Sequence, residues 1–250
     1  MITPERHRII IKVLGEKQVA TIQELVDATS SSESTIRRDL SQLQKEKKLK
    51  RVHGGASLFH QKGEELSVTE KSSQNAAEKE RIAKYAAELV KNGDSIYIDA
   101  GTTTMQMIPY LKEKEITVVT NGVSHLEMLL ENQIPTYLIG GIVKPKTRAL
   151  VGSAAQSGIN AYRFDKCFMG VNGIHPEAGF TTPDPEEAAI KRLAITLSQE
   201  AYILADDTKF NEISFSKIAG LHEAAVITNE LDEDTAYDFK EKTEIKVVTA

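Results

Sequence analysis

The sequence predicts an α/β chain in two parts. A small, mainly helical unit spans residues 1–57, and a larger unit over residues 77–250 is built on a mostly parallel sheet; a linker over residues 58–76 joins them. Three observations carry this reading. Apolar residues near the N-terminus recur at helical spacing within short segments. From residue 95 onward, short apolar runs alternate with amphipathic segments, the pattern of strands covered by helices on both faces. Charge is also unevenly divided. Residues 1–60 hold 11 Lys and Arg against 7 Asp and Glu, and the remainder 20 against 29, so a basic front precedes an acidic body.

In the first unit, Thr3 offers an N-cap and Pro4 the first helical position. Ile9, Ile10, Val13 and Leu14 then predict a helix over about residues 4–16, with Gly15 near its end. Thr21-Ile22-Gln23-Glu24 is a capping box, in which hydroxyl and carboxylate satisfy each other's free backbone N–H groups. It opens a short helix carrying Ile22, Leu25 and Val26. Residues 28–32 read as a tight polar turn, and Ser32 caps a third helix whose buried stripe is Ile36, Leu40 and Leu43. Glu33, Ser34, Thr35, Arg37 and Arg38 fall off that stripe. Three short helices with a tight second turn place the N-terminal half of the third in the major groove of DNA. There Arg37 and Arg38 can pair with guanine, while Ser32, Ser34 and Thr35 can reach phosphates or bases. Leu49-Lys50-Arg51-Val52, turning at Gly54 and Gly55, reads as a basic wing along the DNA backbone, with Lys50, Arg51, His53 and Gly54 facing phosphate. His53 suits a hydrogen bond within the turn equally well. Asp39 is expected to orient an arginine or to cap locally, since a carboxylate repels phosphate. Together these elements predict a winged helix-turn-helix.

The polar run Lys71-Ser72-Ser73-Gln74-Asn75 marks the linker. Ile82, Ala83, Ala86, Leu89 and Val90 then form an amphipathic helix, and strands are expected near residues 95–98, 116–119, 136–139, 167–169, 201–204, 224–227 and 245–248. Such sheets bind ligands where the strands end. Gly101 with Thr102, Thr103 and Thr104 supplies hydroxyls and free N–H groups suited to phosphate. Lys209, with Lys144 or Arg148, would neutralise its charge. Asp99, Asn121, Asn172 and Glu187 would hydrogen-bond the rest of the ligand, and Gly140, Gly141 and Gly173 would give the backbone close approach. Lys191 also falls near a strand end.

The single cysteine, Cys167, lies in an apolar run and reads as a core residue; its solitude excludes an internal disulfide. No apolar stretch approaches the roughly 20 residues that span a bilayer, and residues 1–6 lack a signal-peptide core, so a cytoplasmic location is expected. His175-Pro176-Glu177 lacks the cysteines of a deaminase zinc motif, and His222-Glu223 lacks a second histidine. His125, His175 and His222 are therefore expected at the surface or in loops, with no metal and no cofactor. The competing class is a sugar-phosphate isomerase, for which Asp99, Asp165 and Glu187 are candidate bases. Asn172, in the glycine-rich loop over residues 170–174, cannot act as one, and no catalytic residue is assigned.

The segment Thr35-Ile36-Arg37-Arg38-Asp39-Leu40, with Arg51-Val52-His53-Gly54-Gly55-Ala56, resembles the recognition helix and wing of the DeoR family of transcriptional repressors. The resemblance continues through Asp99-Ala100-Gly101-Thr102-Thr103, Thr120-Asn121, Gly140-Gly141, Gly170-Val171-Asn172-Gly173, Glu187 with Lys191, and Asp206-Asp207-Thr208-Lys209, and so covers nearly the whole chain. It implies an effector domain similar to ribose-5-phosphate isomerase and glucosamine-6-phosphate deaminase, and a sugar-phosphate effector without catalysis. It also implies operator DNA as partner, read by a homodimer or homotetramer. Within the family, Ile2-Thr3-Pro4-Glu5-Arg6-His7 and residues 31–40 are most similar to fructose-operon regulators of Gram-positive bacteria. This makes fructose 1-phosphate the first effector implied.

Overall fold

The computed structural model describes residues 2–17, 19–46, 48–52, 54–58 and 67–248. The chain divides into two compact units, residues 1–64 and 65–250.

In the first unit, α1 (Thr3–Lys17), α2 (Ile22–Thr29) and α3 (Glu33–Lys45) pack with strands β1 (Val19–Thr21), β2 (Leu49–Val52) and β3 (Gly55–Leu58). The strands pair antiparallel in the order β1-β3-β2. The capping box forms: Thr21 Oγ1 accepts from Glu24 N at 3.2 Å, and Thr21 N donates to Glu24 Oε2 at 2.8 Å. With the Lys17 ammonium also bound, the Glu24 carboxyl is held down to about 2. Ser30 adopts a left-handed conformation (φ 49°) and ends α2, leaving Ser32 to cap α3. Ile10, Leu14, Leu25, Ile36, Leu40, Leu43 and Leu49 close the core.

A buried ion pair crosses that core. The Arg6 guanidinium of α1 grips both oxygens of Asp39 on α3, and His7 Nε2 lies 3.3 Å from the same carboxylate. Asp39 is 4% exposed. The arginine that Asp39 orients is thus Arg6, a partner 33 positions away, and the pair fixes how α3 is set against α1. Burial raises the Asp39 pKa, but Arg6 and His7 outweigh it and hold the carboxyl below its usual range.

The second unit has a parallel sheet, seven-stranded among the described residues. Its strands are β4 (Ser95–Ile98), β5 (Thr117–Thr120), β6 (Thr136–Leu138), β9 (Phe164–Met169), β12 (Ser198–Leu204), β14 (Ala225–Thr228) and β15 (Ile245–Val247), in the order β15-β14-β12-β9-β4-β5-β6. On one face lie α5 (Ala76–Glu88), the short α6 (Thr102–Met105) with a 3-10 turn over Ile108–Leu111, and α7 (Val123–Glu131). On the other lie α8 (Ser153–Asn160), α9 (Pro185–Thr196) and α10 (Glu233–Phe239). Strand side chains divide accordingly, Ile96 and Ile98 to the first face and Tyr97 and Cys167 to the second. The order reverses between β4 and β9: the chain runs outward through β5 and β6, then returns to lay β9 against the other side of β4. This is the switch point at which doubly wound sheets open a crevice.

The structure differs from the sequence expectations in three places. The polar run assigned to a linker folds as α4 (Val68–Ser73), capped by a second box between Ser67 and Glu70. Val68 N also donates to Lys146 O, so this stretch belongs to the second unit. The loop over residues 170–174 is partly strand: β10 (Gly173–His175), β11 (Gly179–Thr182) and β13 (Ser216–Ala219) form a small antiparallel sheet. A Cβ at Gly173 would lie 2.3 Å from Glu212 O, so glycine is required there by packing. A hairpin of β7 (Ile142–Val143) and β8 (Leu150–Val151) fills the return to α8.

Replacing Arg6 by Met strands the Asp39 carboxylate in the core. The lowered Asp39 pKa means the pair stabilises the fold above the ordinary carboxylate range and is lost as pH falls through the folded value. Arg6→Met is therefore expected to lower the denaturation midpoint of the first unit at pH 7, with the gap to wild type narrowing by pH 3. Circular-dichroism melts at the two pH values check this.

Candidate nucleic-acid interface and effector crevice

On α3, Glu33, Ser34, Arg37 and Arg38 are exposed, and Thr35 is half-buried. Ser32 Oγ meets Ser34 Oγ at 3.1 Å and Thr35 Oγ1 at 2.8 Å, a hydroxyl cluster at the N-terminus of the helix. Arg37 is already engaged: its Nε and Nη2 donate to Glu33 Oε1 at 2.9 and 2.6 Å. Arg38 makes no hydrogen bond or ion pair among the described residues. In the wing, Arg51 Nη1 donates to Ser41 Oγ at 3.1 Å, tying β2 to α3. Lys50 lies on β2, and His53 falls outside the described residues. Gly54 has φ +74° with open space where a Cβ would stand, and its carbonyl accepts from Ile22 N at 2.8 Å. A side chain at Gly55 would collide with Ala20 O at 2.2 Å, so the wing turn needs its second glycine for packing against β1.

In the second unit, the residues expected to bind an effector collect on the C-terminal rim of the parallel sheet. At the switch point, the buried Lys191 ammonium of α9 is held by Asp99, at the end of β4, and donates to Gly170 O, at the end of β9, at 3.0 Å. Gly170 N returns a hydrogen bond to Asp99 Oδ2 at 3.3 Å. Next to Lys191 stands Glu187, whose Oε1 accepts from Lys144 Nζ at 2.8 Å and Thr147 Oγ1 at 2.7 Å; Lys144 also pairs with Asp184 at 2.8 Å. Burial raises the Glu187 pKa, but Lys191, Lys144 and Thr147 outweigh it and leave the carboxyl below its usual range. The result is a row of alternating charge across the crevice: Asp99, Lys191, Glu187, Lys144, Asp184.

The threonines divide. Thr104 Oγ1 accepts from Gly101 N at 3.1 Å and lies 2.8 Å from Gly101 O, closing the turn internally. The Thr102 and Thr103 hydroxyls have no partner among the described residues. Asn172 Oδ1 accepts from Thr182 at 3.1 Å. Gly140 has nothing within 4 Å of its Cβ position, whereas one at Gly141 (φ +133°) would lie 2.6 Å from Val151 O. Arg148 (φ 52°) is exposed on the β7–β8 turn and has no side-chain partner among the described residues. Lys209 follows β12, with Nζ 3.8 Å from Asp206.

Several expectations are corrected. The Asn121 amide is spent on Ala100 N (3.0 Å) and Leu150 O (3.3 Å), so it braces the loop instead of facing the rim. Asp165 lies at the start of β9, at the opposite end of the sheet, accepting from Ser95 N at 2.8 Å. His125 is not a surface residue: it is 1% exposed on α7, beside Thr104 at 3.3 Å, and burial drives its pKa down to about 4 against a hydrogen bond with the Asp99 backbone. Thr147 and Asp184 join the site without having been singled out. Asp184 had a signal, as the cap before Pro185; Thr147, one polar residue in a loop, had none. Among the described residues no cluster of His, Cys, Asp or Glu could hold a metal, and no helix is long and apolar enough to cross a membrane.

A winged helix-turn-helix with an exposed basic third helix, joined in one chain to a doubly wound unit with a polar crevice, defines a DNA-binding transcriptional regulator. Known proteins agree. The model of the DeoR-like helix-turn-helix domain matches residues 6–62, and that of the DeoR C terminal sensor domain matches residues 74–231. The chain is 51% identical over 249 residues to the uncharacterized HTH-type transcriptional regulator FruR of Bacillus subtilis, covering 99% of each chain. It is 34% identical over 248 residues to the lactose phosphotransferase system repressor of Staphylococcus aureus, covering 96% of this chain and 98% of that one. The protein belongs to the DeoR family of transcriptional regulators. Among solved structures, ribose 5-phosphate isomerase A of Methanocaldococcus jannaschii aligns with a TM-score of 0.41 at 18% identity, covering 55% of each chain. The eIF2B delta subunit of Chaetomium thermophilum aligns with a TM-score of 0.46 at 12% identity, covering 79% of this chain and 63% of that one.

Three substitutions separate the roles of these residues. Arg38 is uncommitted, so Arg38→Ala should weaken operator binding by about 1–3 kcal/mol. Arg37 must first leave Glu33, so Arg37→Ala should cost less; fluorescence anisotropy on operator DNA checks the order. Lys191→Met leaves Asp99 buried without a counter-charge and should cost the second unit about 3–5 kcal/mol, read by denaturant unfolding.

Proposed function

We propose that the protein represses a sugar-utilisation operon and leaves its operator when a phosphorylated sugar, fructose 1-phosphate first among them, enters the crevice of the second unit. The observation that carries this reading is the charged row at the switch point, with unpartnered hydroxyls beside it. In this reading Asp99 and Glu187 accept from sugar hydroxyls, Asn172 accepts and donates, and Thr102, Thr103 and the backbone at Gly101 face the phosphate. Lys209 and Arg148 supply positive charge. A full-length relative named as a lactose phosphotransferase system repressor supports sugar control. The resemblance of residues 31–40 to fructose-operon regulators supports the choice of fructose.

Two copies of the chain would read paired half-sites about 34–36 Å apart, or a multiple of that. The sugar phosphate releases DNA only through its difference in affinity for the free and DNA-bound arrangements. Titrating the protein–operator complex with fructose 1-phosphate, fructose 1,6-bisphosphate and free fructose tests this. Release by the 1-phosphate at concentrations where fructose is inert is the expected result. Equal potency of the free sugar would remove the phosphate from the account.

A further inference from the structure

The rim carries a second buried cation close to Lys209. Lys79, in the first turn of α5, is 5% exposed, and its ammonium donates to the carbonyl of Lys71 in α4. Among the described residues it forms no ion pair. Asp206, directly after β12 and 2% exposed, lies within electrostatic reach of both Lys79 and Lys209. That carboxylate already accepts from Thr208 N at 3.1 Å, from the Thr208 hydroxyl, and from Asn75. One committed acid therefore serves two lysines. Burial drives the Lys79 pKa down to about 8; Asp206 opposes the shift, while Lys209 and Lys71 reinforce it. The unpartnered hydroxyls of Thr102 and Thr103 lie on α6, which packs against both α5, the helix of Lys79, and α4, the helix of its carbonyl partner Lys71.

A buried ammonium without a full counter-charge is costly unless an anion arrives to complete the site. We propose that Lys79 and Lys209 form an anion subsite for the phosphate group of a phosphate monoester, with Thr102 and Thr103 as neutral donors. The proposal rests on the sugar-phosphate reading above and names the cation at the buried end of the ligand. Lysine suits this task as a compact point charge that donates to several oxygens of one phosphate. Because burial brings free Lys79 down to about 8, with Asp206, Lys209 and Lys71 as the charges facing it, anion binding above that pH takes up a proton. Affinity for a probe of constant charge should then fall between pH 7 and pH 9.

The test uses the full chain, with fructose 1-phosphate, inorganic phosphate and sulfate as probes, read by calorimetry and thermal shift. Lys79→Met keeps the packing of the side chain and removes the charge. It should keep the wild-type melting temperature or raise it, lose roughly tenfold to a hundredfold in affinity for fructose 1-phosphate, and lose stabilisation by inorganic phosphate. Lys209→Gln, at a half-buried position, should show a smaller loss in the same direction. Sulfate should stabilise wild type more at pH 7 than at pH 9, and Lys79→Met equally little at both. Should fructose 1-phosphate bind wild type and Lys79→Met alike, the subsite is wrong and the sugar reading stands. If inorganic phosphate stabilises wild type through Lys79 while fructose 1-phosphate has no greater effect, the subsite stands and the sugar reading falls.

Discussion

The second unit is organised around one ammonium group. Lys191 lies under the point where β4 and β9 part, bound to the Asp99 carboxylate and the Gly170 carbonyl. The two strands are paired through Ile96–Ile98 and 166–168, and beyond that their chains diverge. Divergence leaves the Gly170 carbonyl without a ladder partner beside the buried Asp99 carboxylate at the centre of this unit, where an unpaired polar group is expensive. Lys191 satisfies both at once and lies beside Glu187, so the switch point is lined by buried groups that hold one another in place. The same demand explains why α9 begins where it does. Asp184 caps the helix, accepting from Glu186 N at 2.7 Å and Glu187 N at 3.1 Å, and its register then delivers Glu187 and Lys191 to the rim.

A regulator of this kind needs a rim that holds together without ligand yet gains by binding it. The row from Asp99 to Asp184 has internal partners throughout, so in the proposed reading an incoming sugar exchanges hydrogen bonds and gains little net energy from each exchange. The larger gain lies where the protein is short of partners: the hydroxyls of Thr102 and Thr103, the Arg148 guanidinium and Lys79. The β7–β8 hairpin joins the two kinds of group. It supplies Lys144 and Thr147 to Glu187, and its Lys146 carbonyl accepts from Val68 N at the start of α4, the first described element of this unit.

Elements held by local signals were legible in the sequence. The Thr21–Glu24 box, the Ser32 cap and the stripe Ile36, Leu40, Leu43 each lie within a few residues of the partners they need. The strand ends were legible for the same reason, because a buried parallel strand reads as an apolar run that stops at Gly, Asn or Asp. What stayed hidden depends on distant partners. β11 and β13 pair Phe180 with Ala219 across a long excursion of the chain. His125 is buried because Thr104 and Gly122 pack around it, and the role of Asp39 waits on Arg6. α4 is the exception: its Ser67–Glu70 box is local, but the polar run after it concealed a helix whose packing lies elsewhere. Lys79 is the costliest case, since a lysine in the first turn of a helix ordinarily lies in solvent.

The central claim is that effector recognition occurs on the C-terminal rim of the sheet, at the ends of β4, β9 and β12, and nowhere else in the second unit. Hydrogen–deuterium exchange of the full chain, with and without saturating fructose 1-phosphate, tests it most directly. The account expects slowed exchange over residues 99–105, 170–173 and 206–210. Slowed exchange confined to the groove between α10 and β15, around Tyr237 and Ile245, with the rim unchanged, would contradict it.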